Sequence, residues 1–148
     1  MNTKSDIAVE YFKQGYNCAQ SVFLAYADRY GFDKDTALRV SSSFGGGMGR
    51  LREVCGAVSA MLMLIGLKEG YTSPNDDKIK EEHYAKVQSL AKEFEAKFGT
   101  IICRELLNLT EKNSTPTPSK RDEKYYQERP CAKFVEFASE LIEKELDT

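Results

Sequence analysis

The sequence predicts an all-α protein: a single-domain helical bundle of about six to seven helices packed around a central apolar helix. Three observations carry that expectation. Apolar residues recur every three or four positions along most of the chain. Capping residues and glycines punctuate those runs at helical lengths. No segment alternates as a strand does. At 148 residues the chain is long enough for one core without disulfide staples, so residues 1–148 are read as one domain.

Each element follows in order. Ser5 is placed to cap a first helix carrying Ile7, Val9, Tyr11 and Phe12, which ends near Gly15. Asn17 caps a second over residues 18–30, with Val22, Phe23 and Tyr26 on one side and Gly31 as its stop. Asp33 or Asp35 opens a third, which carries Ala37, Leu38 and Val40 toward Phe44. The stretch FGGGMGR (44–50) then breaks the helical pattern. The fourth helix is expected from about Leu51 to Leu67; it is apolar on all sides, so it is the central, buried one.

EGYTSPNDD is a turn, and beyond it Ile79, His83, Val87, Leu90, Phe94 and Phe98 mark an amphipathic surface helix that Gly99 ends. Thr100 is placed to cap a short helix through Cys103, Leu106 and Leu107. Residues 110–129 read as a long polar loop. Pro130 suits the first turn of a last helix holding Phe134, Phe137, Ala138, Leu141 and Ile142.

Composition narrows the function. A formal charge of −2 shows no basic surplus, which argues against a nucleic-acid partner. The start, MNTKSDIAVEYF, lacks the basic head and apolar stretch of a secretory signal. The longest apolar run, Val54 to Leu67, is too short for a membrane span. The expected location is therefore cytoplasmic, where stable structural disulfides are uncommon.

That makes the four cysteines, Cys18, Cys55, Cys103 and Cys131, the centre of interest. No C-x-x-C pair occurs, which removes zinc ribbons and the thioredoxin motif, so any joint action requires the fold to assemble them. Cys18 follows the cap Asn17, Cys103 lies three residues after Thr100, and Cys131 follows Pro130. Cys55 is expected about one turn into the fourth helix. All four thus fall near helix starts, where unbonded N–H groups and the helix dipole favour an anion and lower a thiol's pKa. If these helix ends converge they make a tetra-thiolate pocket; if not, the four are small core residues.

The glycine loop has two readings. It is no nucleotide signature, because Arg50 stands where the last glycine of G-x-G-x-x-G belongs and no Gly-Lys-Ser/Thr follows. It is either a turn needing positive φ at several positions, or bare backbone at Gly46 and Gly47 approaching a cofactor or anion beside Cys55, with Arg50 nearby. His83 reads as a satisfied, partly buried histidine, and Met48, Met61 and Met63 as packing rather than a copper site. Gly56 and Ala60, four apart, let another helix approach closely, and Tyr125 and Tyr126 suit a contact surface. No Ser–His–Asp set or carboxylate pair stands out, so no catalytic residue is singled out.

The order YNCAQSVF, FGGGMG, CGAVSAMLMLIGL, a lone Cys before RELL, and a last Cys near the C-terminus resembles the C-GCAxxG-C-C family of redox-active proteins. The resemblance runs over about residues 8–142. It maps the family's four characteristic cysteines onto Cys18, Cys55, Cys103 and Cys131, with Gly56 and Ala57 continuing the central motif. The motif's closing glycine is Ala60 here, still small enough for tight packing. Related domains occur fused to a cytochrome c module and are associated with an iron–sulfur centre, so the resemblance implies redox work.

Together these readings favour one site in which the four cysteines are thiolate ligands to an iron–sulfur cluster of unspecified type, for electron transfer or sensing. Backbone at Gly46 and Gly47 would bond to sulfur and raise the reduction potential, and Arg50 or Arg52 would offset negative charge. Such a domain needs a redox protein partner, and a homodimer is compatible with the sequence. Two alternatives stand beside it. A cysteine pair could exchange disulfides without metal. The domain could instead be a non-enzymatic interaction module holding structural zinc, or nothing.

Overall fold

The structure, a computed structural model, describes residues 3–108, 115–118, 120–122, 125 and 130–147. These are all-α: six helices of nine residues or more, two single turns and a short 3₁₀ segment. Helix α1 spans Lys4–Lys13, α2 Cys18–Ala27, α3 Lys34–Ser42, α4 Gly56–Glu69, α5 Asp77–Phe98 and α6 Cys131–Leu146.

Local chemistry sets most of these bounds. Thr3, not Ser5, caps α1: its hydroxyl accepts from the Asp6 N–H while the Asp6 carboxylate accepts from the Thr3 N–H. Ser5 is left inside the first turn, buried. This reciprocal box satisfies two otherwise unbonded donors, which a cap at Ser5 without an acid three residues on cannot do. Asn17 and Gln20 form the same box at the start of α2. That helix tightens into 3₁₀ over Asp28–Tyr30 and stops at Gly31, whose φ of 83° is left-handed. Asp33 rather than Asp35 caps α3 through the Thr36 N–H. That helix buries Ala37 and Ser41 but leaves Val40 47% exposed, so its apolar face is narrower than expected.

The central helix is α4. Ala57, Val58, Ala60, Met61, Leu64 and Ile65 are all fully buried. Helix α4 packs on α2 along one side and on α6 along another, while α1 crosses both α2 and α6. Tyr26 is sealed in this core and donates its hydroxyl to the Ser139 carbonyl at 3.0 Å. Helix α5 joins only by its C-terminal half, where Leu90 and Phe94 are buried and Phe94, Phe98, Phe134 and Phe137 make an aromatic group. Its N-terminal half runs past the core, leaving Ile79 44% and Tyr84 49% exposed. His83 is half-buried there beside Tyr71, as expected, but its Nδ1 has no hydrogen-bond partner among the described residues.

Of the expected polar loop over 110–129, residues 115–118, 120–122 and 125 are described; 110–114, 119, 123, 124 and 126–129, with Tyr126 among them, lie outside the described residues. Arg121 stacks on the Phe12 ring at 4.3 Å and on Tyr125 at 5.1 Å, so this part of the chain is fastened to α1. No helix among the described residues is long and apolar enough to cross a membrane.

Candidate functional site: a four-cysteine cavity

Each cysteine is set by a helix start, more uniformly than the sequence suggests. Cys18 and Cys131 are the first residues of α2 and α6, and Cys103 is the first residue of the single turn Cys103–Leu106. Pro130 takes the cap position before α6, one step earlier than expected. Cys55 is itself the cap of α4, not one turn inside it. The expected start near Leu51 fails because Arg50 and Arg52 take φ of 70° and 63° and the chain beyond them extends. There Val54 pairs with Ile102 in one antiparallel bridge. The Cys55 N–H donates to the Ile101 carbonyl at 2.8 Å, and the Cys103 N–H to the Glu53 carbonyl at 2.6 Å. This bridge ties the segments carrying Cys55 and Cys103 together.

The glycine loop is a turn of the opposite hand. φ is positive at five successive residues, Gly46, Gly47, Met48, Gly49 and Arg50. The Gly49 N–H reaches the Gly45 carbonyl at 2.9 Å, closing one turn over Gly45–Met48. Left-handed backbone costs an L residue about 1–2 kcal/mol, which glycine avoids. Space is the second reason for glycine. A Cβ on Gly47 would stand 2.7 Å from Cys103 Cβ and 2.8 Å from the Glu53 nitrogen. A Cβ on Gly56 would stand 2.8 Å from the Phe44 carbonyl oxygen and 3.1 Å from the Ala19 nitrogen, so the start of α4 lies directly on the start of α2. Cys55 is thereby brought toward Cys18, whose thiol is in turn hydrogen-bonded to Cys131.

The result is one cavity of about 290 Å³ bordered by Cys18, Cys55, Cys103 and Cys131, together with Gly46, Gly47 and Arg50. All seven residues singled out from the sequence therefore border one space. No disulfide joins the cysteines. Among the described residues, no three His, Cys, Asp or Glu side chains come close enough to hold a single metal ion.

Cys18 and Cys55 do not have the lowered pKa that helix starts alone suggest. Cys18 is held well above the ordinary thiol value by its hydrogen bond with Cys131, then by burial. Burial pushes Cys55 up to about 12, against a smaller opposing pull from the Ala57 and Val58 N–H groups on its sulfur. Desolvation outweighs the helix start here because a thiolate loses far more hydration than two N–H groups return.

The model for the family described as putative redox-active protein (C_GCAxxG_C_C) matches residues 16–145. The chain belongs to this family. No curated protein and no solved structure matches it. In this member of the C_GCAxxG_C_C family, Ala60 stands at the motif's last position and is fully buried in α4, so the substitution keeps the core closed.

Some residues at the cavity of this C_GCAxxG_C_C protein are less evident in the sequence. Arg52 is 2% exposed, with Nη1 3.6 Å from Cys103 Sγ and with no hydrogen-bond partner for Nε or Nη2 among the described residues. Arg50, the other arginine expected to offset charge there, is half-buried and donates from Nε to the Thr115 carbonyl at 3.0 Å. Gly45 also borders the cavity, where a Cβ would meet the Asn17 side chain at 2.3 Å. Arg121 and Tyr125 border it from the far side of the chain. Arg50 and Arg52 share a left-handed φ, 70° and 63°, so neither side-chain type nor backbone hand marks Arg52 as the buried one of the two.

Proposed function

We propose that the four cysteines form one redox site holding an iron–sulfur cluster for electron transfer or sensing, in exchange with a partner redox protein. The observation that carries this is the meeting of four cysteines, from four separate helix starts, at one cavity. When bound, such a cluster supplies an electron-transfer couple whose potential is set by hydrogen bonds to sulfur, net charge and exposure. The donor set fits. A single ion draws sulfur ligands to about 2.3 Å from one point. A cluster takes its thiolates at separate irons, so wider-spaced ligands suit it better.

The chain's own groups support the same reading. Cys55 and Cys18 stay protonated at neutral pH, which makes them poor nucleophiles for disulfide exchange. A bound cation displaces those protons, so metal loading is what turns these thiols into thiolates. The Ala57 and Val58 N–H groups at Cys55 then steady the charged form, and the Arg52 guanidinium lies against Cys103.

Anaerobic purification, or reconstitution with iron and sulfide, should give a brown protein, and each of C18S, C55S, C103S and C131S should lower its iron and sulfide content. Serine keeps the size but offers a hydroxyl that scarcely ionises near neutrality. Equal iron and sulfide in wild type and all four variants would rule the cluster out. The hydrogen bond between Cys18 and Cys131 favours one second reading, a reversible disulfide at that pair. That reading expects a colourless wild type in which only C18S and C131S abolish oxidised-minus-reduced thiol counts.

A further inference from the structure

One wall of the four-cysteine cavity comes from none of the helix starts that carry the cysteines. Pro116, Pro118, Arg121 and Tyr125 form it. Two arginines fasten this stretch. At one end the Arg50 Nε–H donates to the Thr115 carbonyl at 3.0 Å. At the other, Arg121 donates from Nη1 to the Phe12 carbonyl at 2.9 Å and from Nη2 to the Tyr16 carbonyl at 3.0 Å. The same guanidinium stacks on the Phe12 and Tyr125 rings. Phe12 lies in the last turn of α1, where the carbonyls carry the negative end of the helix dipole, so a cation is well placed there. Only a planar fork can bond two carbonyls and lie flat on a ring at once, which lysine cannot do.

The thiols behind this wall are nearly sealed: Cys55, Cys103 and Cys131 are 4%, 8% and 6% exposed. The helices that carry Cys55 and Cys131 are packed into the core. The stretch itself is held differently. Tyr125 packs against the core, but Thr115, Pro116 and Pro118 are exposed, and the fastenings are side chains bonded to backbone carbonyls. Segments with few buried apolar contacts open locally, at a smaller cost than unfolding the core. We infer that this stretch is a strap over the cavity, latched by Arg121, whose release admits the ions and reagents that reach Cys55, Cys103 and Cys131. The inference rests on the four cysteines sharing one cavity, whatever that cavity holds.

The test uses full-length, metal-free, reduced protein, so it succeeds or fails whatever the iron content. Iodoacetamide labelling of Cys55, Cys103 and Cys131 is timed by mass spectrometry of their peptides in wild type, R121A, R121K and the control R29A. Arg29 pairs with Asp147 and stacks on Tyr26 without bordering the cavity, so R29A loses comparable contacts and leaves the strap alone. R121A removes charge-assisted hydrogen bonds and should label about tenfold faster or more. R121K should fall between R121A and wild type, and R29A should stay within about twofold of wild type. Wild-type labelling should also be nearly independent of urea well below the unfolding midpoint, because releasing a strap exposes far less surface than unfolding does. That readout stands even if R121A does not fold. Wild-type labelling that follows urea with the full slope of global unfolding would overturn the inference, as would folded R121A labelling no faster than R29A.

Discussion

Gly47 and Gly49 share a left-handed conformation but not a neighbourhood. A Cβ at Gly47 would collide with Cys103, Glu53 and Arg52 backbone or Cβ atoms at 2.7–2.9 Å, whereas one at Gly49 would meet only the Ser43 carbonyl at 3.8 Å. G47A should therefore cost about 2–4 kcal/mol, combining strain with overpacking, and G49A only about 1–2 kcal/mol. Denaturant titration of both variants checks this, and equal losses would mean that the cavity wall yields more than its packing suggests. Cys55 offers a pH test at the same scale. Its folded pKa, about 12, lies above the ordinary 9.0, so the folded chain keeps a proton that the unfolded chain sheds. Its stability contribution should be intact below about pH 9 and decline between pH 9 and 12, by up to about 1.4 kcal/mol per pH unit. In C55A the alkaline decline should be shallower; a parallel decline would place the titrating group elsewhere. Residue identity alone pointed to the opposite pKa direction, because helix-start position is visible in a sequence and desolvation by distant segments is not.

Asn17 joins two elements. Its Oδ1 caps α2 through the Gln20 N–H at 2.8 Å, its Nδ2 donates to the Ser42 carbonyl at 3.1 Å, and it fills the space that Gly45 leaves open. N17A should cost about 1–2 kcal/mol and speed alkylation of Cys18, the residue it positions, with labelling kinetics as the measure. Unchanged Cys18 reactivity in a folded variant would show that α2 holds its start without the cap. Helix bounds were legible at Asn17 and Asp33, where a side chain caps the backbone locally, though at α1 the cap is Thr3 with Asp6 rather than Ser5. They were missed where tertiary pairing decides, as at Leu51–Cys55, where the bridge of Val54 with Ile102 draws the chain out of helix. The same pairing explains why Cys55 sits at the cap.

Across the whole molecule, an apolar helix at the centre was legible from its all-round hydrophobic surface, and the seven candidate site residues do border one cavity. What composition could not show was which arginine turns inward. Arg50 and Arg52 share both the side chain and a left-handed φ, so the tertiary packing around them decides which one is buried. The placement of Cys18 at the first position of α2 and Cys131 at the first position of α6 has a consequence for biosynthesis. During synthesis Cys18, Cys55 and Cys103 are all made before Cys131, the last of the four. The complete site forms only after translation has passed Cys131 and α6 has closed onto α4. Assembly of the full set of four thiols is therefore among the last events of the chain's synthesis.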